Sequence, residues 1–227
     1  MTRFSIFANM KWKQNRVFIT GIGTGVGKTV SSACITQALK AQYWKPVQAG
    51  LEEGTDTAFV AQMIQHPAKT LPEVYRLKTP ASPHLAARID GVAIDLEHLV
   101  HRANALENTL QPMVIEGAGG LMAPLNEHQF ILDLIIALEA RVILVAGNYL
   151  GSINHSLLTA KVLQENKIPV LGWIFSGEYN TNEDDIVSWS NIPKIGRIPK
   201  ATILDQAFIQ AQAIQLENSL KDAIDNI

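Results

Sequence analysis

The stretch Gly21-Ile-Gly-Thr-Gly-Val-Gly-Lys-Thr29 constrains this chain more than any other. It follows Arg16 to Thr20 (RVFIT), a short apolar and β-branched run that reads as a buried strand, and leads into Lys28 to Ala41, whose spacing is helical. Glycines at such a junction let successive backbone N–H groups converge on a phosphate, and the helix N-terminus adds the positive end of its dipole. Lys28 is placed to neutralise β- and γ-phosphate charge, and Thr29 offers a hydroxyl to Mg²⁺. A turn that only joined strand to helix would account for the glycines but not for a Lys-Thr pair at the helix start. Five residues lie between Gly21 and Gly27, where the common phosphate-binding loop has about four. The longer spacing points to a subgroup of P-loop enzymes.

Such a loop works at the edge of a parallel sheet, and the sequence supplies one. Tyr43 to Val47, Pro112 to Ile115, Arg141 to Ala146 and Val170 to Phe175 are further compact apolar runs, while Thr55 to Gln65, Leu96 to Leu110, Gln129 to Glu139 and Ile153 to Asn166 have helical spacing. This alternation predicts a doubly wound α/β fold: a mostly parallel sheet with helices on both faces and ligands at the carboxyl ends of the strands. The length of 227 residues, with 47% hydrophobic and 18% charged, suits one domain, taken as residues 16–227, behind a flexible N-terminal extension of residues 1–15. A single cysteine, Cys34, excludes an intramolecular disulfide and a thiol-rich metal site. The longest apolar tract, Ile131 to Ala146, is broken by Asp133, Glu139 and Arg141 and does not read as a membrane span, and the N-terminus lacks a secretory signal. With 19 basic against 21 acidic residues, the net charge of −2 gives no general attraction to nucleic acid or anionic lipid. The expectation is a cytoplasmic protein that binds anions at a local site.

Lys45, at the end of the second strand, is either a second cation for an anionic substrate or a solvated strand-end lysine. Asp56 and Glu116 are candidate Mg²⁺ partners, since carboxylates at strand ends opposite a P-loop hold the metal in such folds. Asp56 is equally a helix-cap residue. Glu116 precedes Gly117-Ala-Gly-Gly120, which strips away side chains where a ligand or second backbone must approach. Ser82 is placed to cap a helix that Pro83 begins. Leu150-Gly-Ser-Ile-Asn-His155 opens another helix, whose N–H groups either bind a carboxylate or are merely capped.

In content and order, these pieces resemble the dethiobiotin synthetase family from about Arg16 to Trp173: the widened loop, Lys45-Pro46-Val47, Ser82-Pro83-His84, Glu116 to Gly120 with Pro124-Leu125, and Gly151-x-Ile153-Asn154-His155. The resemblance implies an ATP-dependent cyclo-ligase that closes the ureido ring of dethiobiotin from 7,8-diaminononanoate and CO₂, with Mg²⁺ as cofactor and a homodimer that places the substrate site at the subunit interface. It implies nucleotide contacts from Gly23, Thr24, Gly25, Val26, Gly27, Lys28, Thr29, Val30, Glu116, Ser176 and Pro199, and catalytic roles for Thr24, Lys28 and Lys45. Substrate contacts fall to Thr24, Lys45, Ala49, Ser82, Pro83 and Gly119, with Gly151, Ser152, Ile153 and Asn154 reaching the substrate carboxylate from the neighbouring subunit. Metal contacts fall to Thr29, Asp56 and Glu116. The chain departs from the family at Gly25, often acidic there; at Ala49, often a small hydroxyl residue; and at Ser176-Gly177, where an asparagine commonly reads adenine. Two other readings stand beside this one: a partition- or delivery-type ATPase, disfavoured by the lack of an early lysine in the loop, and a non-catalytic dimeric binding module.

Overall fold

The computed structural model describes residues 12–65, 67–107, 111–178 and 182–225. Its centre is β1 (Lys13–Gly21), where Val17, Phe18 and Ile19 are wholly buried because covered parallel sheets bury both faces of their inner strands. β6 (Met113–Gly120) and β7 (Ala140–Gly147) flank it in parallel. Beyond them lie β2 (Gln42–Trp44) and β4 (Lys69–Leu71) on one side, and β8 (Val170–Gly177) and β9 (Lys194–Pro199) on the other. The seven-stranded order is β4-β2-β6-β1-β7-β8-β9. The connections include α1 (Lys28–Ala38), α2 (Asp56–Met63), α3 (Pro83–Asp90), α4 (Leu96–Leu106), α5 (Ile131–Ala137), α6 (Ser152–Glu165) and α7 (Asn182–Ser190); α8 (Gln206–Asp225) follows the last strand. Helices cover both sides of the sheet, as the doubly wound reading predicts. No helix among the described residues is long and apolar enough to cross a membrane.

The expected strand from Tyr43 to Val47 is broken at Lys45-Pro46. β2 stops at Trp44, and the chain resumes as β3 (Val47–Ala49), paired with β5 (Tyr75–Leu77) in a separate two-stranded sheet. Pro46 has no N–H to give a ladder, so the chain leaves the main sheet there. Glu116 does not follow its strand, as the expected end at Ile115 implies, but lies within it. The ladder to β1 runs on through Ile19 opposite Glu116 to Gly21 opposite Gly120, carrying glycines whose low strand propensity hides them in the sequence. At the N-terminus, Lys13 to Asn15 belong to β1 rather than to an extension. The Lys13 amide donates to Glu139 O at 2.8 Å, and the Lys13 and Asn15 side chains donate to Glu107 at 2.9 and 2.8 Å. Residues 1–11, and 108–110 at the end of the expected Leu96 to Leu110 helix, lie outside the described residues.

Candidate active site

The loop from β1 to α1 is built on close backbone approaches. Gly27 is the N-cap of α1 in the left-handed region, at φ 91°, and a Cβ there would run into the Ser176 side chain at the end of β8. Gly120 brings β6 against the loop: a Cβ on it would sit 3.4 Å from both Gly21 O and Gly23 Cα. Lys28 arches back over the loop, its Nζ donating to Gly23 O at 2.8 Å. Burial lowers its pKa to about 8 despite the opposing charges of Glu116 and Asp56, with Lys45 pushing in the same direction as burial.

Four charged or hydroxyl side chains converge beyond Lys28. Thr29 Oγ1 lies 2.9 Å from Asp56 Oδ1 and 3.0 Å from Glu116 Oε1. Lys45 Nζ reaches Asp56 Oδ2 at 2.7 Å, Glu116 Oε1 at 3.0 Å and Gly117 O at 3.1 Å, which uses its three ammonium hydrogens. Lys45 is therefore not a solvated strand-end lysine but a buried one. Burial works against its charge, yet Glu116 and Asp56 outweigh burial and hold its pKa above the ordinary value. Asp56 shows the converse. Burial pushes its carboxyl up, while Lys45, through charge and hydrogen bond, and Thr29 hold it below the usual value. The cap reading of Asp56 falls, since Thr55 is the N-cap of α2 and accepts from the Ala58 amide at 3.1 Å, leaving the Asp56 carboxylate for Thr29 and Lys45.

The Thr29 hydroxyl and two carboxylates form a hard oxygen set on one side of the loop. Mg²⁺ takes one or two carboxylates and completes its octahedron with phosphate oxygens and waters, so this donor set fits it.

These residues open on a cleft of about 730 Å³. Thr24, Gly25, Gly27, Lys28, Thr29 and Val30 form one wall, Lys45, Ala49, Asp56 and Glu116 another, and Ser82, Pro83 and Gly119 a third. Ser82 occupies the N-cap position of α3 without capping it through its side chain; its hydroxyl lies 3.1 Å from His84 Nδ1 instead. Gly23 and Val26 complete the loop without lining the cleft, and Val26 is buried. Ser176 and Pro199 meet Val30 in a separate hollow of about 250 Å³ walled also by Ile198, Leu204 and Phe208. Gly151 to Asn154 line neither space. They sit at the start of α6, beside a fully exposed Leu150, with the buried Ser152 hydroxyl accepting from Asn182 Nδ2 at 3.1 Å.

Two side chains shape the site without belonging to any motif read from the sequence. Gln48 Oε1 accepts from the Asp56 amide at 3.0 Å while Nε2 donates to Ala49 O at 3.1 Å, fixing the start of α2 against β3. Tyr43 donates its hydroxyl to Glu116 Oε2 at 2.9 Å. Both are buried polar groups near expected site residues, and that proximity is the only sequence signal they carry.

Strand, glycine-rich loop and Lys-Thr helix start, with carboxylates on the neighbouring strand and helix, define a P-loop ATP-dependent enzyme, and a family model described as an AAA domain matches residues 15–207. In fold, the chain resembles a ParA family ATPase from Chlorobium tepidum, with TM-score 0.55 at 17% identity over 94% of this chain and all of that one. The MinC:MinD cell division complex of Aquifex aeolicus gives 0.55 at 15%, over 92% of this chain and 94% of that one. Sequence is more specific. The ATP-dependent dethiobiotin synthetase BioD of Brucella ovis is 48% identical over 82% of this chain and 86% of its own length. That of Rhodopseudomonas palustris strain HaA2 is 46% identical over 91% of this chain and 97% of its own. The chain belongs to the dethiobiotin synthetase family, whose members are ligase-type, ATP-dependent enzymes of biotin biosynthesis.

Proposed function

We propose that the chain from Lys13, where β1 begins, acts as one catalytic domain that closes the cyclic urea of dethiobiotin from 7,8-diaminononanoate, CO₂ and ATP in the cytoplasm. One substrate amine adds to CO₂ and loses a proton to give a carbamate. A carbamate oxygen takes the γ-phosphoryl group of ATP, releasing ADP. The second amine attacks the carbonyl carbon of the mixed anhydride, expels phosphate and closes the ring. The carrying observation is the convergence of Lys28 and Lys45 on one cleft whose far wall is Ser82, Pro83 and Gly119. A triphosphate and a carbamate repel each other, and two buried cations in a confined space offset that repulsion where charge shifts during transfer.

In this reading the backbone of Gly23 to Gly27 cradles the phosphates, with Val30 beneath them, and Lys28 leaves Gly23 O for the γ-phosphoryl oxygens. Thr24 and Lys45 orient the carbamate, and Ala49, Ser82, Pro83 and Gly119 bound the space for the diamine chain. Thr29, Asp56 and Glu116 would hold Mg²⁺, which supplies charge neutralisation of the phosphates. Ser176 and Pro199 flank the nucleotide base. Gly151, Ser152, Ile153 and Asn154 would reach the substrate carboxylate from a second copy of the chain. Support for that placement is that they do not line the cleft of their own subunit and that Tyr149, Leu150 and Leu158 around them are exposed. The test is incubation with diaminononanoate, bicarbonate, ATP and Mg²⁺, following dethiobiotin by mass and phosphate release in parallel. Both products should require amine and CO₂ together; ATP turnover that ignores the omission of either would refute the proposal.

A further inference from the structure

Tyr43 lies two residues before Lys45, on the last inner stretch of β2, and its ring is wholly buried. Its hydroxyl donates to Glu116 Oε2 at 2.9 Å, while Glu116 Oε1 lies 3.0 Å from both Thr29 Oγ1 and Lys45 Nζ. The two carboxylate oxygens thus have separate duties. Oε1 faces the loop and the cations, and Oε2 faces back into the sheet. The hydroxyl comes from a rigid base, because β2 is paired with β6 at Tyr43 opposite Val114 and Trp44 opposite Ile115, in register with the segment that carries Glu116.

This division matters because the other partners of Glu116 are the ones that change. Lys45 is held by the same carboxylates that a divalent cation would use, so the two compete for them, and Thr29 is itself a candidate metal contact. Tyr43 is neutral and buried in the sheet, and no ligand displaces it. The terminal carboxyl torsion of a glutamate is broad and roughly two-fold, so without an anchor on one oxygen the group turns when its cationic partners move. We propose that Tyr43 is a positioning residue that locks Glu116 through Oε2, so that Oε1 alone is presented to Thr29 and the metal-bound nucleotide. The inference rests on the metal reading of Glu116 given above.

The test uses Mn²⁺ with ADP as probe, free Mn²⁺ being read by its paramagnetic resonance signal, on wild type, Tyr43→Phe, Glu116→Gln and the double variant. Tyr43→Phe should weaken Mn²⁺ about five- to tenfold with little change in ADP affinity measured without metal. The double variant should bind Mn²⁺ no more weakly than Glu116→Gln alone. Tyr43→Phe within twofold of wild type, with Glu116→Gln weakened, would overturn the positioning role, as would additive losses in the double variant. Glu116→Gln matching wild type would instead refute the metal reading on which the inference depends. A measurement without substitution covers a variant that does not fold. With tyrosine labelled at Cζ, the Tyr43 hydroxyl proton should exchange slowly with solvent both with and without Mg²⁺ and ADP, and a freely exchanging hydroxyl would overturn the proposal.

Discussion

Replacing Lys45 by methionine keeps most of the stem volume and removes the charge that two carboxylates share. In the intact protein, Lys45 Nζ sits 2.7 Å from Asp56 Oδ2 and 3.0 Å from Glu116 Oε1. Taking away one partner of a buried pair costs ~3–5 kcal/mol, mostly through the charge left behind. The Asp56 side chain is 29% exposed and keeps some water, which favours the low end, about 3 kcal/mol. For a chain of this size that is a fall of roughly 6–12 °C in Tm. Mg²⁺ should reverse much of the fall. It answers the same carboxylates and no longer competes with an ammonium, and a cation at ~100 times its Kd adds about 2.7 kcal/mol.

The pH dependence has a definite sign. Asp56 is held below its ordinary value in the wild type, so its stabilising contribution is present above the unfolded value and is lost as pH falls through the depressed one. In Lys45→Met burial still pushes Asp56 upward and only Thr29 and Lys28 oppose it, so its carboxyl takes up a proton at a higher pH than in the wild type. The gap between the two proteins should be widest near pH 7 and should narrow as pH falls through the range in which the variant's Asp56 carboxyl takes up its proton. Thermal unfolding across pH, with and without Mg²⁺, reads all of this. Equal Tm at pH 7, or an equal Mg²⁺ shift in both proteins, would refute the view that Lys45 neutralises this pair.

Two further outcomes are expected. Because Lys28 has a pKa near 8 in the free protein, nucleotide binding at pH 9 should take up close to one proton and at pH 7 only about a tenth of one, as calorimetry in buffers of differing ionisation enthalpy would show. Lys28→Ala should abolish that uptake and lower kcat about 10²-fold or more; a proton count independent of pH would remove Lys28 from the phosphate site. The hollow beside Ser176 is walled by Val30, Ile198, Leu204 and Phe208, with no asparagine or glutamine side chain among the described residues that line it, so CTP, GTP or UTP should support dethiobiotin formation within about tenfold of ATP in kcat/KM. Several hundredfold preference for ATP would show that other residues read the base; Tyr179 and Asn180, candidates for that task, lie outside the described residues.

The sheet and its loop were legible because both write themselves in local sequence. RVFIT followed by glycines and Lys-Thr is a strand, a phosphate cradle and a helix start in one reading, and β7 and β8 stand out as apolar runs for the same reason. The short strands β4 and β5 escape because three residues carry too little pattern, and β9 because Lys194, Gly196 and Arg197 dilute it. The helix α7 opens on Asn182 to Asp185 and reads as a polar loop. Its stability comes from elsewhere: buried Glu183 accepts from Lys194 at 2.8 Å and Arg197 at 2.9 Å on β9, partners 11 and 14 residues away.

The candidate site divides along the same line. Lys28, Thr29 and Glu116 are visible because the spacing around them is unusual, whereas Lys45 is ambiguous in sequence, since a lysine after a strand is ordinarily solvated. What decides it is Pro46. By forcing the chain out of the main sheet one residue later, it leaves Lys45 at the break, within reach of β6 and the start of α2, instead of continuing a strand into solvent. Tyr43 gains its contact by the same geometry, since β2 still pairs with β6 as far as Trp44 and brings the phenol under Glu116 just before the chain departs. The break therefore sets the cation above the carboxylates, and the pairing just before it sets the hydroxyl behind them. Pro46→Ala should therefore loosen the Lys45 contacts and reproduce part of the Tm loss of Lys45→Met, while the Tyr43 hydroxyl proton stays slow to exchange; a rapidly exchanging Tyr43 hydroxyl in that variant would refute this division.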